Sequence, residues 1–241
     1  MTEKLFRTAD GRPVPAVTAE EMRAVDRVAV EEVGLELLQM MENAGRNLAT
    51  AARERTDGDE PVVVLAGSGG NGGGGLACAR HLANHGRSVS VVLDRPADQL
   101  SGAAASQHRI LDAMDLPISV GPEGLSADGV VVDALVGYSL SDPLRGTAAD
   151  LVDSLGDRRI LSLDVPTGRD ATTGEEAGLA IDPDTVVTLA LPKTGLAGLD
   201  CSLLLADIAI PKIVYERLDI ATDGIFDGAY LLELTEHRTD S

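Results

Sequence analysis

Residues Val62–Gly86 read VVVLAGSGGNGGGGLACARHLANHG. The opening run, VVVLA, is short, apolar and uninterrupted, which is the pattern of a strand buried on both faces. Seven glycines then fall in the nine positions Gly67 to Gly75, and LACARHLANHG follows as a helix. Strand, glycine loop and helix in that order are the first unit of a doubly wound parallel sheet. Gly67, Gly69 and Gly72 satisfy G-x-G-x-x-G, and Asp94 ends the next strand, SVSVVLD, where a ribose-binding acid would stand. Asp94 lies further along than the ~20 residues of that fingerprint. The loop therefore reads either as a phosphate or dinucleotide cradle or as a turn that needs glycine for tight packing.

Outward from this unit the chain keeps the same rhythm. Strand candidates PISV, GVVVDALVG, RILSLDVP, DTVVTLAL and SLLLADIAI follow, most of them separated by stretches long enough for a helix. Ahead of it, VTAEEMRAVDRVAVEEVG places Thr18 and Glu21 at capping-box spacing and Met22, Val25, Val28 and Ala29 on one helical face. LELLQMMENAGRNLATAARER reads as a second helix. The pattern predicts an α/β fold: a Rossmann-like, doubly wound αβα sandwich of three layers, with a mostly parallel sheet and two N-terminal helices. No repeat or linker divides residues 1–241, so one domain is expected, with residues 220–241 as a loose C-terminal arm.

Charge narrows the partners. Acidic residues number 39 against 20 basic ones, a formal net charge of -19, and lysine occurs only at Lys4, Lys193 and Lys212. Such a field repels nucleic-acid phosphate and anionic lipid, which excludes both as bulk partners. The charges are spread along a chain that is 44% hydrophobic, and an Asp-rich, Lys-poor surface is the composition of a protein adapted to a salt-rich cytoplasm. No apolar run approaches the roughly 20 residues of a membrane span and the start MTEKLFRTADGRP is polar, so a cytoplasmic protein without membrane contact is expected. Cys78 and Cys201 have neither disulfide nor metal spacing and read as small apolar residues.

In an open α/β sheet ligands bind beyond the carboxyl ends of the strands, at the switch point. If VVVLA is central and GVVVDALVG its neighbour, Asn71 and Asp133 meet across that crevice, with Asp164 next along and Thr167 just after it. A carboxylate at a strand end is a candidate acid/base, although each aspartate alone could equally be a cap or turn former. Lys193 can approach a substrate phosphate or pair with a surface acid. Glu42 and Asn43 can reach the same pocket or fix the two N-terminal helices. His81 and His85 have the i, i+4 spacing of metal ligands without the glutamate or third ligand of a metal site, which favours a solvated or partly packed pair.

Several motifs together resemble the YjeF N-terminal domain family, the NAD(P)H-hydrate epimerases. The family's G-P-G-N-N-G-G-D-G-L is similar to GSGGNGGGGL (Gly67 to Leu76) and its V-D-A-L-F-G to VDALVG (Val132 to Gly137). L-D-I-P-S-G-L-D is similar to LDVPTGRD (Leu163 to Asp170), A-P-K-P-G-L to LPKTGL (Leu191 to Leu196), and MRAVD and MENAG also match. The resemblance runs in order from about Thr18 to Ile213 and covers the epimerase half only. It implies interconversion of the R and S forms of NADH or NADPH hydrated at nicotinamide C6, coupled to a separate dehydratase, and a homodimer is compatible with it. It implies Asp164 as the acid/base and a potassium ion held by Asn71, Asp133 and Thr167. Substrate contacts are implied for Gly70, Asn71, Gly72, Gly73, Gly74, Gly137, Tyr138, Ser139, Leu140, Ser141, Asp142 and Pro143, with Asp164 and Lys193. Gly70 and Gly74 stand where the family has Asn and Asp, so Gly74→Asp is expected to restore an acceptor at the helix start and to stabilise.

Three classes follow. An epimerase would treat the dinucleotide as substrate. A Rossmann oxidoreductase would use it for hydride transfer to a second molecule. A non-catalytic relative would bind a dinucleotide or a protein without turnover.

Overall fold

The computed structural model describes residues 6–125, 128–140 and 142–236. The chain enters through two short strands, β1 (Phe6–Thr8) and β2 (Pro13–Val14). Thr18 then caps helix α1 (Ala19–Arg27), its hydroxyl accepting from the Glu21 amide while the Glu21 carboxylate accepts from the Thr18 amide, the reciprocal pair that the spacing predicted. α1 runs on as a π-helical turn to Val33, Gly34 ends it in the left-handed region, and α2 (Leu37–Arg55) follows. Strand β3 (Val62–Ala66), helix α3 (Gly70–Asn84) and strand β4 (Val89–Leu93) come next, then α4 (Gly102–Ala113), β5 (Ile118–Val120), β6 (Val130–Ala134), α5 (Gly146–Asp153), β7 (Ile160–Leu163), β8 (Thr185–Leu189), β9 (Ser202–Ala206), α6 (Lys212–Glu216) and β10 (Leu231–Glu236).

These strands form one sheet in the order β2-β1-β10-β9-β8-β7-β6-β3-β4-β5. From β9 to β5 every pairing is parallel, and the β10, β1 and β2 pairings are antiparallel. The alternation of β3 shows why both faces must be covered: Val62, Val64 and Ala66 enter the core beneath α2, α3 and α4, whereas Val63 and Leu65 enter a second core with Leu151, Val152 and Ile181. The three-layer αβα sandwich is thus as expected. Its second outer layer is thin, because residues 164–184 and 190–201 connect β7 to β8 and β8 to β9 without an α-helix.

Two expectations need correction. The arm at 220–241 is docked over its described part: Ile220 and Ile225 are buried, and Leu231–Glu236 fills the place between β9 and β1. Apolar residues at Leu231, Leu232 and Leu234 make that strand worth burying. The glycine run, in turn, is mostly helix, since α3 begins at Gly70 and not after Gly75. Glycine weakens a helix by ~1 kcal/mol per residue, and close approach is what compensates here. A Cβ on Gly72 would lie 1.8 Å from the Gly67 carbonyl oxygen, one on Gly73 2.9 Å from Ala103 Cβ, and one on Gly75 2.4 Å from Ala134 Cβ. On the α2 side, a Cβ on Gly45 would lie 2.7 Å from the Gly74 carbonyl oxygen. Gly74 is buried against Leu163, with 2.8 Å between an added Cβ and Leu163 Cδ2, so Gly74→Asp would bury a carboxylate in the core rather than cap a helix.

Candidate active site

The parallel pairings of β3 with both β4 and β6 make the gap between β3 and β6 a switch point, because the chain builds outward from β3 in one direction to β5 and then in the other to β9. Beyond the carboxyl ends of β3, β6, β7 and β8 lies a cavity of about 370 Å³. Gly70 and Asn71 from the start of α3, Gly137, Tyr138 and Ser139 from the segment after β6, Asp164 after β7 and Leu189 at the end of β8 form one side. Asp26 and Val30 from the α1 segment, with Leu37, Met40 and Met41 of α2, form the other. The two N-terminal helices therefore roof a crevice that the sheet alone would leave open.

Asp164 holds the centre. Its backbone is left-handed, φ 69°, a conformation costly for a residue other than glycine and characteristic of functional turns. The strain is held by hydrogen bonds: the Asp164 amide donates to Val187 (2.8 Å), the Leu189 amide donates to Oδ1 (3.2 Å) and the Tyr138 amide to Oδ2 (3.3 Å). Lys193, fully out of solvent, donates its ammonium to Asp164 Oδ1 and to the Leu189 carbonyl (2.9 Å). This is an ion pair inside the protein, so the acid that Lys193 meets is one of the cavity wall and not one of the surface.

Gly137 explains itself by closeness. A Cβ there would stand 3.0 Å from Asn71 Oδ1 and 3.2 Å from Asp164 Oδ2, so a side chain at 137 would press on the two polar groups that share that corner. Asn71 Nδ2 is buried without a protein partner among the described residues and lines the cavity. Asp133, at the core end of β6, is completely buried and accepts from Ser162 Oγ (2.8 Å), Thr167 N (3.0 Å), Thr167 Oγ1 (2.7 Å) and Leu135 N (3.2 Å). Burial pushes its carboxyl above the usual range while these donors pull the other way, and all of them are neutral. Thr167 Oγ1 also lies 3.1 Å from the Val136 amide, which donates to it.

Other expected residues are placed elsewhere. Gly72, Gly73 and Gly74 face packed helices and strands, not the cavity. Leu140 and Asp142 line a second, acidic cleft with Asp170, Glu175 and Glu176, Pro143 is exposed, and Ser141 lies outside the described residues. Asp94 is held by a bidentate pair with Arg95 (2.9 and 2.8 Å) at the end of β4. Glu42 pairs with Arg80 and with His81 Nε2 (2.9 Å), tying α2 to α3, whereas His85 is exposed at the helix end. Asn43 bonds the Gln39 carbonyl and Arg46 of its own helix. One wall residue went unassigned in the sequence: Asp26, whose carboxylate accepts from the Tyr138 hydroxyl. The signal was present, since Asp26 closes the MRAVD stretch on the face one turn from Met22.

The family model for the YjeF-related protein N-terminus matches residues 37–195, which spans β3 to β8 and every residue of the cavity except those on the α1 segment. The chain belongs to this family. Within it, the chain is 46% identical to the NAD(P)H-hydrate epimerase of Dehalogenimonas lykanthroporepellens over 95% of its own length and 97% of that protein's. It is 33% identical to the NAD(P)H-hydrate epimerase of Rhodopirellula baltica, covering 83% of this chain and 84% of the relative. A bifunctional NAD(P)H-hydrate repair enzyme of Salinibacter ruber is 36% identical over 84% of this chain, which corresponds to 42% of that longer protein. Among solved structures, yeast ynu0 superposes with a TM-score of 0.79 at 25% identity, covering 91% of this chain and all of the other. No helix among the described residues is long and apolar enough to cross a membrane.

Proposed function

We propose that this protein epimerises hydrated NADH or NADPH at nicotinamide C6, with the damaged dinucleotide as substrate and not as redox cofactor. The observation that carries the reading is a buried carboxylate, Asp164, held by Lys193 at a switch-point cavity, in a chain similar over 95% of its length to a protein named for that activity. C6 bears a hydroxyl beside the ring nitrogen. Loss of that hydroxyl with help from the nitrogen lone pair, and return of water to the other face, inverts the centre, and reversible ring opening would serve as well. Either route needs one positioned acid/base, and Asp164 is that group. Lys193 and the amides of Leu189 and Tyr138 fix its orientation. The start of α3 at Gly70 and Asn71 faces the same cavity, where helix amides suit a pyrophosphate.

Asn71, Asp133 and Thr167 fit a potassium ion by donor chemistry: a buried carboxylate bonded only by neutral donors, a hydroxyl and an amide oxygen are hard ligands, and a monovalent cation would balance the charge of Asp133. The ion would supply that charge balance and an anchor for a phosphate oxygen. A dehydratase acting on one epimer, elsewhere in the same cell, would complete the repair.

The decisive test is to incubate the protein with separated R and S hydrates and follow their ratio by chromatography. Both should converge on one mixture. Binding without exchange would instead establish a binding module, and oxidation of the dinucleotide with a second substrate would establish an oxidoreductase.

A further inference from the structure

The cavity contains a second carboxyl group that the reading above does not use. Asp26 lies on α1, across the cavity wall from the strand-end residues, and it is bonded by the Tyr138 hydroxyl. Tyr138 thus touches both acids, its side chain meeting Asp26 and its backbone amide meeting Asp164 Oδ2 at 3.3 Å. Their surroundings differ. Asp164 is neutralised by a buried ammonium, whereas Asp26 has a phenol as its direct partner, in a cavity that Val30, Met40 and Leu189 also line.

From this asymmetry we infer that Asp26 is a second catalytic residue, the acid that protonates the leaving C6 hydroxyl while the Asp164 carboxylate takes a proton from the incoming water. The inference rests on the epimerase reading. The proton of the Asp26 carboxyl passes to the C6 oxygen, the C6–O bond breaks, and the ring-nitrogen lone pair forms the N=C6 bond of an iminium ion as water departs. A water on the other face then forms the new C6–O bond, gives its second proton to Asp164, and returns the electron pair to nitrogen. Asp26 is left ionised and Asp164 protonated, and exchange with solvent after product release resets the pair. Two carboxyls whose surroundings set them apart are the usual means of dividing acid and base roles in one site.

The local chemistry suits that division. Burial raises the Asp26 carboxyl above the ordinary carboxylate range, with the Tyr138 hydrogen bond and the nearby Lys193 opposing and the Asp164 charge assisting. Arg23 lies 6.0 Å and the Lys193 ammonium 5.8 Å from the Tyr138 ring centre, and Tyr215 of α6 is also within the field of Asp26.

The test is the epimer-exchange rate across pH for wild type, Asp26→Asn and Tyr138→Phe, with thermal unfolding of each. Asp26→Asn should fold and lose on the order of 10²-fold in rate. Tyr138→Phe removes a bond that favours the ionised acid, so the high-pH limb of its rate profile should move to higher pH. Asp26→Asn within about threefold of wild type, or a limb that Tyr138→Phe leaves in place, overturns the role of Asp26 while epimerisation stands. A wild type that exchanges neither hydrate overturns the epimerase reading itself.

Discussion

The ammonium of Lys193 and the carboxylate of Asp164 meet with both side chains almost entirely out of solvent, 1% and 4% exposed. Two charges in such a place depend on each other, because removal of one strands the other without water. Lys193→Met should therefore destabilise by about 3–5 kcal/mol. Adding Asp164→Asn should recover much of that loss, since the remaining groups are then neutral. Urea unfolding of the two single variants and the double one gives the coupling directly, and additive effects would show that the pair is not coupled. Activity would not return with stability: Asp164→Asn, alone or combined, should lose on the order of 10²-fold or more in epimer exchange.

Much of this site was legible in the sequence because strand ends are. Asp133 and Asp164 each terminate a short apolar run, and parallel order alone brings such residues to one edge of the sheet. The partners were less visible. Lys193 reaches Asp164 from a connection 29 positions away, and a lysine between a proline and a threonine carries no periodic sign that it is buried. Asp26 sits in a helix whose other side faces solvent, so its periodicity does not distinguish a cavity wall from a surface. The antiparallel edge was missed for a similar reason: β1 and β2 are three and two residues long, too short for alternation, and β10 lies in a charged stretch.

The glycine run makes a sharper prediction. Gly72→Ala would drive a methyl into the Gly67 carbonyl, which belongs to backbone and cannot turn aside, and should cost at least about 1–3 kcal/mol. Gly70→Ala meets only Leu37 Cδ1 at 3.7 Å and Met41 Sδ at 3.9 Å, ordinary contacts, and should instead stabilise by about 0.4–1 kcal/mol through the unfolded chain. Thermal unfolding of the two variants should move in opposite directions. Equal losses would mean that position 70 is constrained as position 72 is.

Potassium should stabilise the folded protein. A ligand that binds only the folded state adds roughly 2.7 kcal/mol at a hundred times its dissociation constant. Melting in potassium chloride should therefore exceed melting in tetramethylammonium chloride of the same ionic strength, which controls for screening of the acidic surface. Thr167→Val removes one oxygen ligand and should abolish that difference whatever it does to stability overall. A difference that survives in Thr167→Val places the ion elsewhere.

Stability should depend on pH through Asp26 even without substrate. The folded state raises the Asp26 carboxyl above its ordinary value of 3.8, so folding favours the protonated form and ionisation works against the fold. The contribution is neutral below the ordinary value, grows as pH rises through the folded-state value, and is constant above it. Asparagine keeps an oxygen for the Tyr138 hydroxyl and does not ionise, so Asp26→Asn lacks this penalty. The stability of the variant relative to wild type should therefore increase with pH across that window and then level off. Comparing the two proteins cancels the other carboxyls, including Asp133. Urea midpoints at successive pH values would measure it, and a difference that is flat, or that grows on acidification, would show that Asp26 is not held in a site that opposes its charge.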